Sequence, residues 1–308
     1  MRVAVTGASG FVGARLVERL SEAGYALTVL RHRAAVPVPE DATVVTGGLD
    51  DPDALARFVE GADAVIHCGG VVAAPDSASF HRVNAEGTRR LAEAADRAGV
   101  GRFLFVSSLA ARQPGLSAYA ASKRAGEDAL AAMPGLAWDT MRPPAVYGPG
   151  DQQVLVFARL VKHGIGLLPA GERARVSVIH VDDLVAAMHA WLIGPEPAGE
   201  VYELADGRRG GYAWRTLIDA AARELTVHPW YVRPPAVALK IVGHVSHLGA
   251  RLAGRVAFLS PDKLRELRHD DWVCRDERFR GRTGWRPRVP LGEGLRETLA
   301  WYRAKGWL

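Results

Sequence analysis

One phenol, one amine and one strand-end hydroxyl carry the chemistry this sequence is equipped to do. Tyr119 and Lys123 stand four positions apart, a spacing that stacks two side chains on the same side of a helix. A phenol titrating near ~10 is a poor acid or base at neutral pH unless a neighbouring cation stabilises its anion, and Lys123 supplies that cation. Eleven positions before Tyr119 comes Ser108, preceded by Ser107 at the end of an apolar run that starts at Phe103. A hydroxyl in that place can hydrogen-bond a substrate oxygen and steady the charge developing on it. The three groups suit the transfer of a proton to or from oxygen as a carbonyl and an alcohol interconvert.

A Tyr-x-x-x-Lys string alone is common on solvated helices, and its weight here comes from what precedes it. Thr6-Gly7-Ala8-Ser9-Gly10-Phe11-Val12-Gly13 follows the apolar run Val3 to Val5 and opens a helical pattern, the context that a dinucleotide pyrophosphate requires. Gly7 permits the tight turn and Gly10 lets the backbone approach the phosphates. Gly13 lets the helix lie close to the sheet while its first amides, around Ser9, Phe11 and Val12, face the anion. At the end of the second apolar run an NAD enzyme carries an acid for the ribose hydroxyls, whereas this chain has Arg31, His32 and Arg33. Guanidinium groups bind a 2′-phosphate that a carboxylate would repel, so NADP(H) is expected over NAD(H), with Arg31 favoured over Arg33.

The elements that must position these residues alternate regularly. Val3 to Thr6, Thr28 to Leu30, Ala64 to His67, Phe103 to Ser107 and Trp138 to Arg142 read as strands. Between them, Val12 to Ala23, Asp53 to Glu60, Ala85 to Ala98 and Tyr119 to Met133 show helical spacing of apolar residues and stop at Gly or Pro. The order predicts an α/β fold: a doubly wound parallel (Rossmann) sheet with its ligand at the carboxyl ends of the strands. A dinucleotide-binding domain is expected over 1–150, with 176–195 returning to it. Residues 151–175 and 196–308 are expected to form a smaller, mostly C-terminal substrate lobe. That later part predicts a helix over Val154 to His163, a strand over Val176 to His180 and a helix over Asp182 to Ile193.

With 308 residues, 48% of them hydrophobic, the chain can bury a large core without staples. Cys68 and Cys274 are too few for a disulfide framework and fit no zinc spacing, which points to a reducing, cytoplasmic compartment and no metal. Met1 leads straight into a strand, leaving no room for a cleavable leader, and no apolar run approaches the roughly 18 residues of a membrane span. A formal charge of +5 and a pI near 9.4 suit small anionic ligands. The cations are mostly scattered arginines, so no nucleic-acid partner is expected. Over 237–255, Lys240, His244, His247, Arg251 and Arg255 recur opposite Leu239, Val242, Val245 and Leu252. This basic amphipathic pattern is read as a lid or surface helix of the small lobe, with peripheral membrane contact or a partner as the alternative.

The motifs together resemble the short-chain dehydrogenase/reductase family, in its extended branch of sugar-nucleotide epimerases, dehydratases, dihydroflavonol-type reductases and 3β-hydroxysteroid dehydrogenases. The matching stretches are TGASGFVG at 6–13, His67-Cys68-Gly69-Gly70, Asn84 with Gly87-Thr88, Ser107-Ser108, YAASK at 119–123, RPPAVYGPGD at 142–151 and HVDD at 180–183. The resemblance implies that Cys68, Gly69, Gly70 and Ser107 line the cofactor, that Lys123 also holds the nicotinamide ribose, and that Pro143 and Pro144 border the nicotinamide. It leaves Leu49, after Gly48, to make only a backbone contact at the adenine, where many relatives have Asp. It further implies a homodimer built through the Asn84 to Ala98 and Tyr119 helices. Two departures bear on substrate: Arg142 leads to Pro143, Pro144 and Ala145 instead of an Asn for a substrate diphosphate, and the Ser108 to Tyr119 loop is short. Both favour a small, fairly apolar ketone, aldehyde or alcohol. The alternatives are a sugar-nucleotide epimerase or dehydratase with tightly bound NAD, and a non-catalytic NADP(H)-binding sensor or scaffold.

Overall fold

Val3–Val5, Val29–Leu30, Val65–Ile66 and Phe103–Val106 are apolar without interruption, as strands covered on both faces must be. In the computed structural model they lie side by side in one parallel sheet. Its strands are β1 (Arg2–Thr6), β2 (Ala26–Arg31), β3 (Thr43–Thr46), β4 (Ala64–His67), β5 (Arg102–Val106) and β6 (Trp138–Arg142), with Val201–Glu203 as the seventh. Across the sheet the order is Val201–Glu203, β6, β5, β4, β1, β2, β3. The winding reverses between β1 and β4, which makes the carboxyl end of β1 the switch point where a doubly wound sheet binds its ligand.

The structure describes residues 1–32, 38–235, 237 and 260–308, and its contacts fall into two units. Met1–Arg142, Val185–Glu203 and Asp276–Trp285 form the first, which holds the whole seven-stranded sheet. Arg33 and, apart from Val237, the expected amphipathic segment 237–255 lie outside the described residues.

In the first unit, α1 (Phe11–Glu22), α2 (Pro52–Val59), α3 (Gly87–Arg97) and α4 (Ala118–Ala131) connect the strands. Asp51 caps α2 by accepting from Ala54 N–H at 3.0 Å, with Pro52 in the first helical position, and Ser117 caps α4 through Ala120 N–H at 2.9 Å. Leu55, Phe58, Val65, Leu91, Phe103, Phe105 and Leu130 fill the core beneath α2, α3 and α4. At such sites each leucine truncated to alanine costs about 3 kcal/mol. Before α3 the chain makes a wider π-helical turn over His81–Glu86, a feature that apolar spacing does not signal.

Two strands of this sheet have no pattern strong enough to predict. Thr43–Thr46 is four residues long and only half-buried, at the sheet edge. Val201–Glu203 is held through the buried Asp139 of β6, whose Oδ1 accepts from Glu200 N–H at 2.9 Å and Ala198 N–H at 3.1 Å.

Pro143–Leu184, Leu204–Arg275 and Arg286–Leu308 form the second unit. The single strand expected over Val176 to His180 is two strands. Arg175–Val176 pairs with Tyr212–Ala213 and Asp271–Trp272, while Val178–His180 pairs with Ala145–Tyr147. Ser177 breaks the run because its N–H goes to the Trp272 carbonyl at 2.9 Å. Helices Gln153–Lys162, Trp214–Leu225 and Leu291–Ala304 pack around Leu155, Ile218, Leu299 and the fully buried Tyr302. Among the described residues no helix is long and apolar enough to cross a membrane.

Candidate active site

Gly7 follows β1 with φ of 75°, a conformation that residues with a Cβ rarely adopt. A Cβ on it would stand 2.6 Å from the Cys68 carbonyl carbon, so the β1 turn lies directly against the end of β4. Gly13, one turn into α1, leaves still less room: a Cβ there would be 2.2 Å from Gly7 O. Ser9 and Gly10 are exposed, Phe11 and Val12 half-buried, and α1 has no acidic residue in its first turn. The result is a close-wound loop with free helix N-terminal amides and no carboxylate to repel an anion, a fit to the pyrophosphate of a dinucleotide.

Thr6 is in register with Leu30, so Arg31 stands one residue beyond the glycine turn's strand end. It is exposed, and its Nη2 donates to Thr46 Oγ1 at 3.0 Å on the neighbouring strand. Leu49 packs over Gly87, where a Cβ would come within 2.8 Å of its side chain. Gly48 lies between Asp50 and the His32 ring.

The end of β4 is fixed by a chain of hydrogen bonds with a single consistent polarity. Thr88 Oγ1 donates to Asn84 O at 2.7 Å, so toward His67 it accepts, and His67 Nε2 carries the proton over 3.0 Å. His67 Nδ1 then accepts from Thr6 Oγ1 at 2.6 Å, and Thr6 Oγ1 accepts in turn from Gly69 N–H at 3.0 Å. His67 is fully buried, and desolvation, assisted by the charge on Lys123, pushes its pKa down to about 3. The imidazole is a neutral brace that ties β1, β4 and α3 together. Burial pushes the Cys68 thiol up to about 12 against the opposing pull of Lys123. Gly69 is buried and Gly70 exposed beside it.

α4 brings its residues to this strand end through close packing. Gly126 is required there, since a Cβ would meet Asn84 O at 2.8 Å and the Phe105 ring at 3.1 Å. Asn84 is fully buried and clamps Val71 at both ends, accepting from its N–H at 2.8 Å and donating to its carbonyl at 2.9 Å. It also donates to Ser122 Oγ at 2.9 Å. Lys123 is buried; its Nζ donates to Val106 O at 2.9 Å and lies 4.7 Å from the centre of the Phe105 ring. A Cβ on Gly70 would stand 3.4 Å from that Nζ, which places the ammonium beside the β4 end. Desolvation lowers the Lys123 pKa to about 8, with the charge of Glu127 opposing the fall. Tyr119 is half-buried one turn earlier on the helix, its ring edge-on to Phe80 with centres 6.1 Å apart.

The two serines after β5 have separate surroundings. Ser107 is buried and donates to Glu127 Oε1 at 2.5 Å, whereas Ser108 is half-buried and accepts from Ala110 N–H at 3.2 Å. Glu127 is also buried and takes a two-pronged contact from Arg142: Nε donates to Oε1 at 2.8 Å, and Nη2 donates to Oε2. Sequence reasoning did not single out Glu127, although its place one turn after Lys123, on the Tyr119 side, was a usable signal. Pro143 and Pro144 follow β6 directly, the first buried and the second half-buried, and belong to the second unit. In that unit His180 Nδ1 accepts from Asp182 N–H at 3.3 Å, and the Asp183 carboxylate accepts from Arg288 N–H at 2.7 Å and Val289 N–H at 3.0 Å.

Residues 3–205 match the profile of the NAD dependent epimerase/dehydratase family. The chain is 40% identical to the ceramide reductase of Caulobacter vibrioides (strain NA1000 / CB15N), over 99% of this chain and 96% of that protein. It is 30% identical to the 2-alkyl-3-oxoalkanoate reductase of Stenotrophomonas maltophilia (strain K279a), over 67% of this chain and 71% of the relative. Among solved structures, gox2253 superposes with a TM-score of 0.79 at 24% identity, covering 100% of this chain and 99% of the other. MoeE5 in complex with UDP-glucuronic acid and NAD superposes with a TM-score of 0.75 at 21% identity, over 99% of this chain and 100% of the other, which again shows the fold. Matched over residues 3–205 by the family profile, and carrying a glycine turn that fits a dinucleotide, the chain belongs to the extended short-chain dehydrogenase/reductases of the NAD dependent epimerase/dehydratase family and is an NAD(P)-dependent oxidoreductase.

Proposed function

We propose that this enzyme reduces a ketone carbonyl on an apolar, ceramide-class lipid, using NADPH. The observation that carries the reading is Lys123: a buried ammonium whose hydrogen bond goes to a backbone carbonyl, one turn from a tyrosine on the same helix. Burying a cation without a carboxylate bonded to it is costly, and the cost makes sense where a developing anion must be stabilised nearby.

In this reading Ser108 donates a hydrogen bond to the carbonyl oxygen and Tyr119 delivers its phenolic proton to that oxygen. Lys123, mostly protonated at neutral pH with its pKa near 8, stabilises the phenolate left behind. NADPH, when bound, supplies the hydride to the carbonyl carbon. The backbone around Gly7, Ser9, Gly10, Phe11, Val12 and Gly13 holds its pyrophosphate, Arg31 its 2′-phosphate, and Leu49 packs near its adenine. Cys68, Gly69, Gly70 and Lys123 line the ribose and nicotinamide. Ser107 contributes through Glu127, to which its hydroxyl already donates a hydrogen bond.

The substrate class rests on likeness to the Caulobacter ceramide reductase along nearly the whole chain. It also rests on Ala145, which offers no side-chain hydrogen bond to a sugar-nucleotide diphosphate. The test measures loss of reduced-nicotinamide absorbance with a ketone whose reduction gives a ceramide, using NADPH and NADH, for wild type and Tyr119→Phe. Turnover in wild type and its loss in the variant are expected. NADPH binding without turnover in either protein would turn the reading toward a sensor. NAD retained through purification, together with interconversion of a sugar nucleotide, would turn it toward an epimerase.

A further inference from the structure

Among the described residues, one small sheet of the second unit has a core behind one face only. Ile165–Leu167 and Trp230–Val232 run parallel, with Trp230 opposite Ile165 and Val232 opposite Leu167. Alternation along each strand puts those four side chains on one face and Gly166 and Tyr231 on the other. The second face is filled: a Cβ on Gly166 would stand 3.0 Å from the Tyr231 ring and 3.3 Å from Ile218, in a cluster with Val161, Leu168 and Ala222. On the first face Trp230 is 83% exposed, Val232 43% and Ile165 38%. Isolated apolar residues at a surface are ordinary, but three neighbours led by a tryptophan form a patch.

The border of this patch is basic in composition, with Arg233 paired to an acid. Lys162, His163, His228 and Arg233 are all exposed on the segments entering and leaving the two strands, and no Asp or Glu occurs from 160 to 171 or from 226 to 235. Glu172, which pairs with Arg233, and Glu224 are the acids nearest in sequence. An amphipathic aromatic flanked by basic residues is suited to the headgroup layer of an anionic bilayer, where the indole sits among the glycerol groups and a lysine meets lipid phosphates.

We propose that the face formed by Ile165, Leu167, Trp230 and Val232 docks the protein on an anionic membrane surface. The choice of a bilayer rests on the ceramide-class substrate proposed above, because such a lipid resides in a bilayer and its reductase must reach it there. The Lys162 charge and the lack of any acid from 160 to 171 and from 226 to 235 favour that occupant over a second copy of this chain.

The test compares wild type with Trp230→Ser/Val232→Ser, both positions exposed enough to leave folding intact, by co-sedimentation with phosphatidylcholine vesicles with and without phosphatidylglycerol. Wild type should pellet with the anionic vesicles, less so at high salt, and the double variant should partition at least about tenfold more weakly, as expected for losing two buried apolar side chains. Equal pelleting of the two proteins, or none by wild type, would overturn the docking. So would a change in oligomeric state in the variant with vesicle binding untouched, which would give the face to a second copy. Reduction of the ketone dispersed in detergent tests the substrate proposal separately: it should be equal in the two proteins, and only the rate on vesicle-borne ketone should fall. An equal fall in both assays would overturn the docking role, whereas vesicle binding that persists without any ketone reduction would defeat the substrate and leave the docking supported.

Discussion

Acid should destabilise the first unit through a single imidazole. His67 is buried in a chain of hydrogen bonds that uses both ring nitrogens in the neutral form, one as donor and one as acceptor. Its folded pKa is lowered to about 3 from the 6.5 of a free histidine. Above 6.5 neither state binds the proton. Between 6.5 and about 3 the unfolded chain binds it and the folded protein does not, so stability falls as pH falls, by about 1.4 kcal/mol per unit. Two units below 6.5 the loss amounts to about 2.7 kcal/mol. Lys123 adds no slope in that window, because its amine is protonated in both states well below a folded pKa of about 8. His67→Gln provides the control: an amide retains a donor and an acceptor but does not titrate. Denaturant unfolding of both proteins between pH 7 and pH 4.5 reads the difference, in which the contributions of all other carboxylates cancel. The wild type should lose roughly 2.7 kcal/mol more than His67→Gln over that span. Parallel pH dependences would show that His67 takes up a proton in the folded state, and the polarity assigned to the Thr6–His67–Thr88 chain would be wrong.

Further outcomes follow from the same geometry. For carbonyl reduction, kcat/KM should hold steady through neutral pH and decline above about 8 as Lys123 loses its charge, and Lys123→Met should lower the rate and remove the break, read from a pH profile. Arg31→Asp should weaken NADPH by about 10-fold to 100-fold while sparing or improving NADH, the loss of one charge-assisted contact, measured as the ratio of kcat/KM for the two cofactors. Glu127→Gln strips the Arg142 guanidinium of its buried counter-charge and should cost about 3 kcal/mol, read as a shift of the urea midpoint. Gly13→Ala should abolish dinucleotide binding, seen in a thermal-shift titration, because its Cβ would fall 2.2 Å from Gly7 O.

The parts of this molecule legible in its sequence are those governed by strong local periodicity. Uninterrupted apolar runs announced β1, β4 and β5, and the Gly7-x-x-Gly10-x-x-Gly13 spacing announced the turn between β1 and α1. What escaped is tertiary in origin. Thr43–Thr46 is a strand only because β2 offers it an edge, and Val201–Glu203 because the Asp139 carboxylate captures the backbone before it. The run 176–180 looked like one strand but divides, since residues on either side of Ser177 find different partners. No local signal encodes a choice of partner made across tens of residues of chain.

The serine pair shows where strand parity decides chemistry. Successive side chains on an extended chain point to opposite sides, so Ser107 and Ser108 cannot share a role. Ser107 turns to Glu127, which Arg142 grips at the end of β6, and this buried link fastens the β5 end to the helix that carries Tyr119 and Lys123. Ser108, on the other side, meets the Ala110 amide with its oxygen, a contact in which it accepts. Its own proton is therefore available to donate, the capacity required of the group that holds a carbonyl oxygen. One serine fastens strand to helix, and in the proposed mechanism its neighbour holds the substrate oxygen, so shifting the pair by a single residue would disrupt both surroundings.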